Sequence, residues 1–301
     1  MSNYHTPVLL HNCLEGLNIK PNGIYVDVTY GGGGHSREIL KQLDENGKLV
    51  VFDQDMDAIA NVINDNRVIV VQQNFKYLKN FLRHLNVFPV DGILADLGVS
   101  SHQFDEPQRG FSTRFDGPLD MRMDQSSKKT AAEIVNYYEE DKLRWIFKNY
   151  GELDAAGRLA REICAVRKSN PILTGQQLKA VGQKFATWGK ENQFNAQVFQ
   201  ALRIEVNNEL TTLKDMLLQT IDALKVGGRL VVISYHSLED RLVKNFIRSG
   251  KFEGDAETDV FGNRLVPFKV ITKKPIIPED SEIDANSRSR SAKLRIAERS
   301  E

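Results

Sequence analysis

Residues 24–37 read IYVDVTYGGGGHSR, and few stretches constrain a fold more tightly. An apolar, β-branched run closes on Asp27, four glycines follow at Gly31–Gly34, and a helix-like segment begins at once. A strand, a glycine turn and a helix in succession bring bare backbone up to a ligand in α/β proteins. Four consecutive glycines carry a large entropic cost on folding, which argues for a reason to keep them.

The neighbouring periodicity supports the same fold class. Strand-like runs at 24–30, 48–54, 67–73 and 90–98 alternate with helix-like runs at 35–43, 56–63 and 75–85. Such alternation predicts a parallel, doubly wound sheet with right-handed crossovers. The pattern then stops. Residues 100–123 read as a long loop rich in Gly, Asp and Arg, and loops of that length are usually functional. Helix-period segments at 131–150, 156–168, 175–188 and 195–225 follow without a strand until GGRLVVISYH at 227–236; a helix is expected over 237–250, and FKVITKK and SAKLRIAE are read as closing strands. The expected architecture is one α/β sheet interrupted after its fourth strand by an all-helical insertion. The parts are 1–105, 106–204 and 205–301, with no internal repeat.

Composition narrows the class further. The 301 residues are 41% hydrophobic and 27% charged, with 40 basic and 40 acidic side chains. That is a globular balance. A modest basic excess over residues 104–203 fits either solvated surface or a face for a polyanion. Two cysteines, Cys13 and Cys164, make neither a disulfide framework nor a metal cluster. MSNYHTPVLL lacks the pattern of a secretory signal, and no apolar run reaches the ~18 residues of a bilayer span, so a cytoplasmic protein is expected.

Ligands of open α/β sheets sit outside the carboxyl ends of the strands. That rule selects Gly31–Gly34 and His35, Asp53 and Asp55, Phe75, Asp96 with Ser100, Ser101 and Gln103, and His236 with Ser237. The dinucleotide fingerprint fails, because its third glycine falls on Ser36 or Arg37, and no phosphate loop ending in Gly-Lys-Ser/Thr occurs. An adenosine without a pyrophosphate fits better. Asp53 suits two ribose hydroxyls, or else a helix N-cap, a task that Asp55 performs equally well. Phe75 either covers an adenine or fills the core. His35 could donate to a ligand carboxylate. Asp96 ends an apolar strand, where a carboxylate needs partners. Ser237 with Asp240 resembles a capping box, which leaves His236 unexplained. The absence of a G-x-S-x-G elbow disfavours a serine hydrolase.

The blocks HTPVLL, DVTYGGGGHS, FDQD, DGILADLGVSS, RGFS, DGPLDMRM, YGE, FQALRIEVNNEL, GGRLVVISYHSLEDR and SRSAKLRIAER run from His5 to Arg299. This set resembles the MraW family of methyltransferases, which act on N4 of cytosine 1402 in 16S rRNA of the small ribosomal subunit. The resemblance implies a Rossmann-like class I fold using S-adenosyl-L-methionine, with the insertion recognising substrate. Carried over by motif, cofactor contacts fall on Gly33, Gly34, His35, Asp53, Phe75, Asp96 and Gln103. Asp96 is the expected catalytic residue. Ser100, Ser101, Arg109, Arg203 and His236 are expected to meet RNA. No metal and no membrane are expected, and a homodimer is left open. Two positions depart from the family pattern: Gly32, often bulkier in relatives, and Ser287, commonly Pro.

Amino-methyltransferases often carry Asp/Asn-Pro-Pro-aromatic after the fourth strand; this chain has Asp96-Leu97-Gly98-Val99. Nitrogen specificity therefore rests on the resemblance. An acceptor for the amine hydrogens, either Asp96 or a group near Ser100 and Ser101, would align the nitrogen lone pair. The target base must be unstacked to react. Arg109, Arg114 and Arg122 are candidates to clamp its strand, and Arg158, Arg161, Arg167 and Lys168 to extend that surface. The rival readings are a nicotinamide-dependent oxidoreductase and a catalytically silent RNA-binding module.

Overall fold

The computed structural model describes residues 7–301, so His5 and Thr6 of the HTPVLL block lie outside the described residues. The chain divides into two compact units. One holds the residues up to Gly98 together with Leu210–Glu301, and the other is Val99–Glu209.

The first unit runs α1 (Leu10–Leu17), β1 (Ile24–Asp27), α2 (Gly34–Gln42), β2 (Lys48–Phe52), α3 (Met56–Ile59), β3 (Val68–Val71), a 3-10 turn at Phe75–Tyr77, α4 (Leu78–His84) and β4 (Val90–Asp96). The second carries α5 (Ser101–Asp105), α6 (Ala131–Tyr137), α7 (Glu140–Asn149), α8 (Ala156–Val166), α9 (Gly175–Gly182) and α10 (Glu191–Asn207). The chain then returns through α11 (Glu209–Ala223), β5 (Leu224–Ser234), α12 (Ser237–Ser249), β6 (Glu257–Thr258), β7 (Arg264–Leu265), β8 (Phe268–Val270), α13 (Asp280–Ala285) and β9 (Lys293–Arg299).

The seven-stranded sheet has the order β3-β2-β1-β4-β5-β9-β8. Its first five strands are parallel, while β9 pairs antiparallel with both β5 and β8. The order reverses between β1 and β4, which defines the switch point where ligands bind in open sheets. Side-chain alternation builds the two faces. Val26, Val50, Phe52, Ile93, Ala95, Leu230 and Val232 enter one core cluster. Tyr25, Leu49, Val51, Leu94, Val231 and Ile233 enter another. Burial on both faces explains why these strands read as continuous apolar runs. The doubly wound sheet interrupted after its fourth strand is as expected from the periodicity.

The helical unit has a core of its own, built from residues between Phe111 and Val206. Here the local expectations need correction. Residues 100–123 are not a structureless loop: they hold α5, a 3-10 turn at Pro107–Arg109, and the buried side chains of Phe111, Leu119 and Met121. The helical stretch expected through 131–150 breaks at Tyr138, whose backbone is extended. The long helix expected across 195–225 breaks at Asn208, which adopts a left-handed conformation with φ 51°. Asn tolerates that conformation better than most residues. The helix expected over 56–63 is a single turn, α3.

Candidate active site

The glycine turn is built by two of its four residues. Gly31 and Gly33 have φ of 51° and 71°, the left-handed region that favours glycine. A Cβ on Gly33 would strike the Tyr30 ring, and one on Gly34 would strike Pro7. A Cβ on Gly32 would meet nothing within 4 Å, so Gly32 is not required by the turn as Gly31 is. Gly33 donates its N–H to the Tyr30 carbonyl at 2.7 Å and stands at the N-cap of α2, which has no side-chain cap. The first-turn amides of a helix have no intrahelical acceptor, so this end is open to an anionic or carbonyl group.

Asp53 closes the turn from the end of β2. One carboxylate oxygen accepts the Gly31 N–H at 2.8 Å and the other accepts the Asp55 N–H at 2.9 Å. Burial pushes its pKa up to about 6, against the lowering effect of those two amides. The helix-cap task belongs to Asp55, which accepts from the Asp57 N–H at the start of α3. A carboxylate offers about four lone-pair positions, so Asp53 retains acceptor capacity for two hydroxyls. Phe75 is half-buried, packed on the core that includes Phe52 and leaving part of its ring uncovered. Asn74 caps that turn and donates to the Gln54 side chain at 2.8 Å.

A second cluster forms at the carboxyl ends of β1, β4 and β5. The Asp27 carboxylate is buried and accepts from Ser36 Oγ at 2.7 Å and from the Thr29 N–H at 3.1 Å. Thr29 Oγ1 in turn accepts the Asp96 N–H at 2.6 Å. Tyr235, directly after β5, donates its hydroxyl to Asp96 Oδ1 at 2.8 Å. Asp96 Oδ2 lies 3.8 Å from His35 Nδ1, too long for a hydrogen bond, and the Asp96 side chain stays 25% exposed. Burial raises the pKa of both Asp27 and Asp96, and His35 opposes the rise in each.

Several expected site residues stand differently from their assigned roles. The His35 ring does not point out to a ligand carboxylate: its Nε2 lies 3.0 Å from the Val8 carbonyl and its Nδ1 faces Asp96. A carbonyl only accepts, so Nε2 carries a proton, and the contribution left to a ligand is the backbone N–H in the first turn of α2. His236 is the N-cap of α12, with Glu239 as its reciprocal partner. The capping box is therefore His236 with Glu239, not Ser237 with Asp240. Asp240 instead pairs with Arg295 at 2.6 Å. The His236 side chain, 7% exposed, is engaged as a helix cap.

The helical unit holds the remaining candidates. Ser100 caps α5, and Gln103 completes the box by accepting the Ser100 N–H at 3.1 Å. Ser101 is the half-buried first residue of that helix. Arg109 is buried, donating to the carbonyls of Arg122 at 3.0 Å and Met123 at 3.3 Å. Arg122 grips Asp120 with two bonds and the Gln125 and Ser127 carbonyls with a third nitrogen. Arg203 makes a two-pronged pair with Glu209, both contacts at 2.9 Å. Arg167 donates to the Val135 carbonyl. Arg109, Arg122 and Arg203 thus spend these donors within the unit. Arg114, Arg161 and Lys168 are exposed cations. Tyr235 escaped the sequence reading, although it directly follows a strand that pairs with β4, in register Asp96 with Ile233.

A family model described as the MraW methylase family matches residues 2–300. The chain is 57% identical over 296 residues to the ribosomal RNA small subunit methyltransferase H of Flavobacterium johnsoniae, covering 98% of each chain. It is 56% identical over 297 residues to the protein of the same name from Bacteroides thetaiotaomicron, covering 98% of this chain and 97% of that one. Among solved structures, an rRNA methylase from Streptococcus thermophilus aligns with a TM-score of 0.41 at 12% identity, over 97% of this chain and 94% of that one, a likeness too slight to carry an argument. With its glycine turn, its two strand-end carboxylates and a match from one end to the other, the chain belongs to the MraW methylase family.

Proposed function

We propose that this chain transfers a methyl group from S-adenosyl-L-methionine to N4 of a cytidine in small-subunit rRNA, the position being cytosine 1402 of 16S rRNA. The observation that carries the reading is the pair of strand-end carboxylates beside the sheet's switch point, Asp53 and Asp96, each with an acceptor position left open. The residues fit an adenosyl cofactor. Asp53 would take the ribose hydroxyls, Phe75 one face of the adenine, and the amides of Gly34 and His35 at the uncapped start of α2 the methionine carboxylate. When bound, the cofactor supplies an electrophilic methyl on a sulfonium.

The acceptor nitrogen is a poor nucleophile, because its lone pair is delocalised into the cytosine ring. Asp96 Oδ2 would accept one amine hydrogen, turning the lone pair toward the methyl and receiving the proton as the new bond forms. Orientation of this kind is worth several kcal/mol, within the roughly 7–11 kcal/mol available to well-held reactants. A carboxyl whose pKa is raised by burial is also the better base for that proton. Among the described residues no helix is long and apolar enough to cross a membrane. A cytoplasmic protein acting on the small subunit is consistent with that.

The test is incubation of the protein with small ribosomal subunits and methyl-labelled cofactor. The native chain is expected to label one cytidine. Asp96→Asn is expected to bind S-adenosylhomocysteine as tightly as the native chain and to lose at least a hundredfold in turnover. Undiminished turnover would remove Asp96 from the mechanism. Thermal stabilisation by NAD, with none by S-adenosylhomocysteine, would remove the methyltransferase reading altogether.

A further inference from the structure

The Asp96 carboxylate has one side-chain donor within hydrogen-bond distance among the described residues, and that donor is Tyr235. Around it stand Asp27 on β1, His35 on α2 and Glu239 on α12; the charges of Asp27 and Glu239 disfavour its ionised form, and His35 favours it. Like charge disfavours the ionised carboxyl there, and one side-chain hydrogen bond holds its orientation. Tyr235 supplies that bond. Its backbone N–H donates to Glu239 Oε2 at 2.9 Å, its ring packs on the core cluster that contains Ile233 and Leu294, and its hydroxyl meets Asp96 Oδ1 at 2.8 Å. It directly follows β5, which is paired with the strand that carries Asp96.

We infer that Tyr235 is a positioning residue for the methyl-transfer reaction, fixing the plane of the Asp96 carboxylate so that Oδ2 faces the incoming amine. The inference rests on the reading of Asp96 as the amine's acceptor and deepens it.

The chemistry suits the residue type. With Oδ1 engaged, Asp96 is left one oxygen whose lone pairs lie in a set plane, and the Asp96 N–H is anchored independently by Thr29. A phenol at this place stays a donor throughout the working range, because burial and the adjoining Asp96 charge hold its pKa well above the usual value. A charged donor would instead neutralise the carboxylate it is meant to orient. The bond also favours the ionised form of Asp96, which burial and the charges of Asp27 and Glu239 disfavour.

An alternative is that Tyr235 merely satisfies its own hydroxyl with the nearest acceptor. The two accounts separate experimentally. Tyr235→Phe keeps the ring and removes the donor. It is expected to lower kcat for methylation of small subunits by roughly ten- to a hundredfold, the range of a hydrogen bond to a charged group. Binding of S-adenosylhomocysteine is expected to stay within twofold. The acid limb of the kcat profile is expected to move to higher pH, since Asp96 loses the bond that favoured ionisation. In an Asp96→Asn background the same substitution should cost less than twofold. Full additivity of the two losses overturns the inference, also where Tyr235→Phe melts at lower temperature, because a structural cost common to both backgrounds does not vanish in the second. Undiminished kcat with an unmoved acid limb overturns it as well. Failure of the underlying reading looks different: there Asp96→Asn itself retains activity.

Discussion

Asp53 shows how much a single carboxyl can be asked to do. It ties the glycine turn to the end of β2, and burial holds its pKa at about 6. The folded chain therefore binds this proton more tightly than the unfolded chain, whose Asp pKa is about 3.9. This group makes stability decline as pH rises from about 4 to about 6, with no further change above. Ligand binding has the opposite sign, because ribose hydroxyls donate to the ionised form. Affinity for S-adenosylhomocysteine, followed by calorimetry from pH 5 to 8, should be full above about 6 and fall by several-fold below it. A flat profile would take Asp53 off the ribose. Asp53 and Asp96 were legible in the sequence because each follows or ends an apolar strand, at the edge where open α/β sheets bind ligands. The direction of the His35 ring was not, because its partner is a carbonyl at Val8, 27 residues away in the chain. Tyr235 was missed because an aromatic beside a β-branched run reads as core, and only the pairing of β5 with β4 brings its hydroxyl to a carboxylate.

At the level of elements, the clearest revision concerns the start of α12. The motif SYHSLED holds two overlapping four-residue frames that fit a cap, and sequence favours the serine. The structure uses the earlier frame, since Glu239 reaches back to the N–H groups of both Tyr235 and His236. His236→Ala should then cost about 1 kcal/mol, seen as a fall of roughly 2–4 °C in Tm, with turnover retained below the transition. His236→Asn, which can still cap, should recover most of the difference. Loss of turnover at unchanged Tm would return His236 to the RNA side. The helices of the insertion were recognisable by period, yet their ends were not. Tyr138 and Asn208 break them through backbone conformation, which an uninterrupted apolar repeat conceals. The stretch 100–123 misled in the other direction: its polar composition hides Phe111, Leu119 and Met121, and arginines bound to local carbonyls and to Asp120.

The whole molecule is one sheet unit with a second unit spliced into it. The alternation of periods made this visible, since it stops after the fourth strand and resumes at β5. The boundaries at Val99 and Glu209 were less so, because Ser100–Gln103 read as the end of a strand-end motif while belonging to the first helix of the insertion. Among the described residues, the buried side chains of the insertion's core lie between Phe111 and Val206, and domains of about this size fold alone. A fragment of residues 99–209 should accordingly unfold in one cooperative transition by calorimetry; a gradual, heatless loss of helix would refute its independence. The splice also imposes an order in time. When β4 leaves the ribosome its partner β5 does not yet exist, and residues 99–209 must be made in between. At about 5–20 residues per second, that interval is on the order of ten seconds. Throughout it, a strand that ends up almost wholly buried lies open along one edge of a four-stranded sheet, which makes the nascent chain a natural client for chaperones.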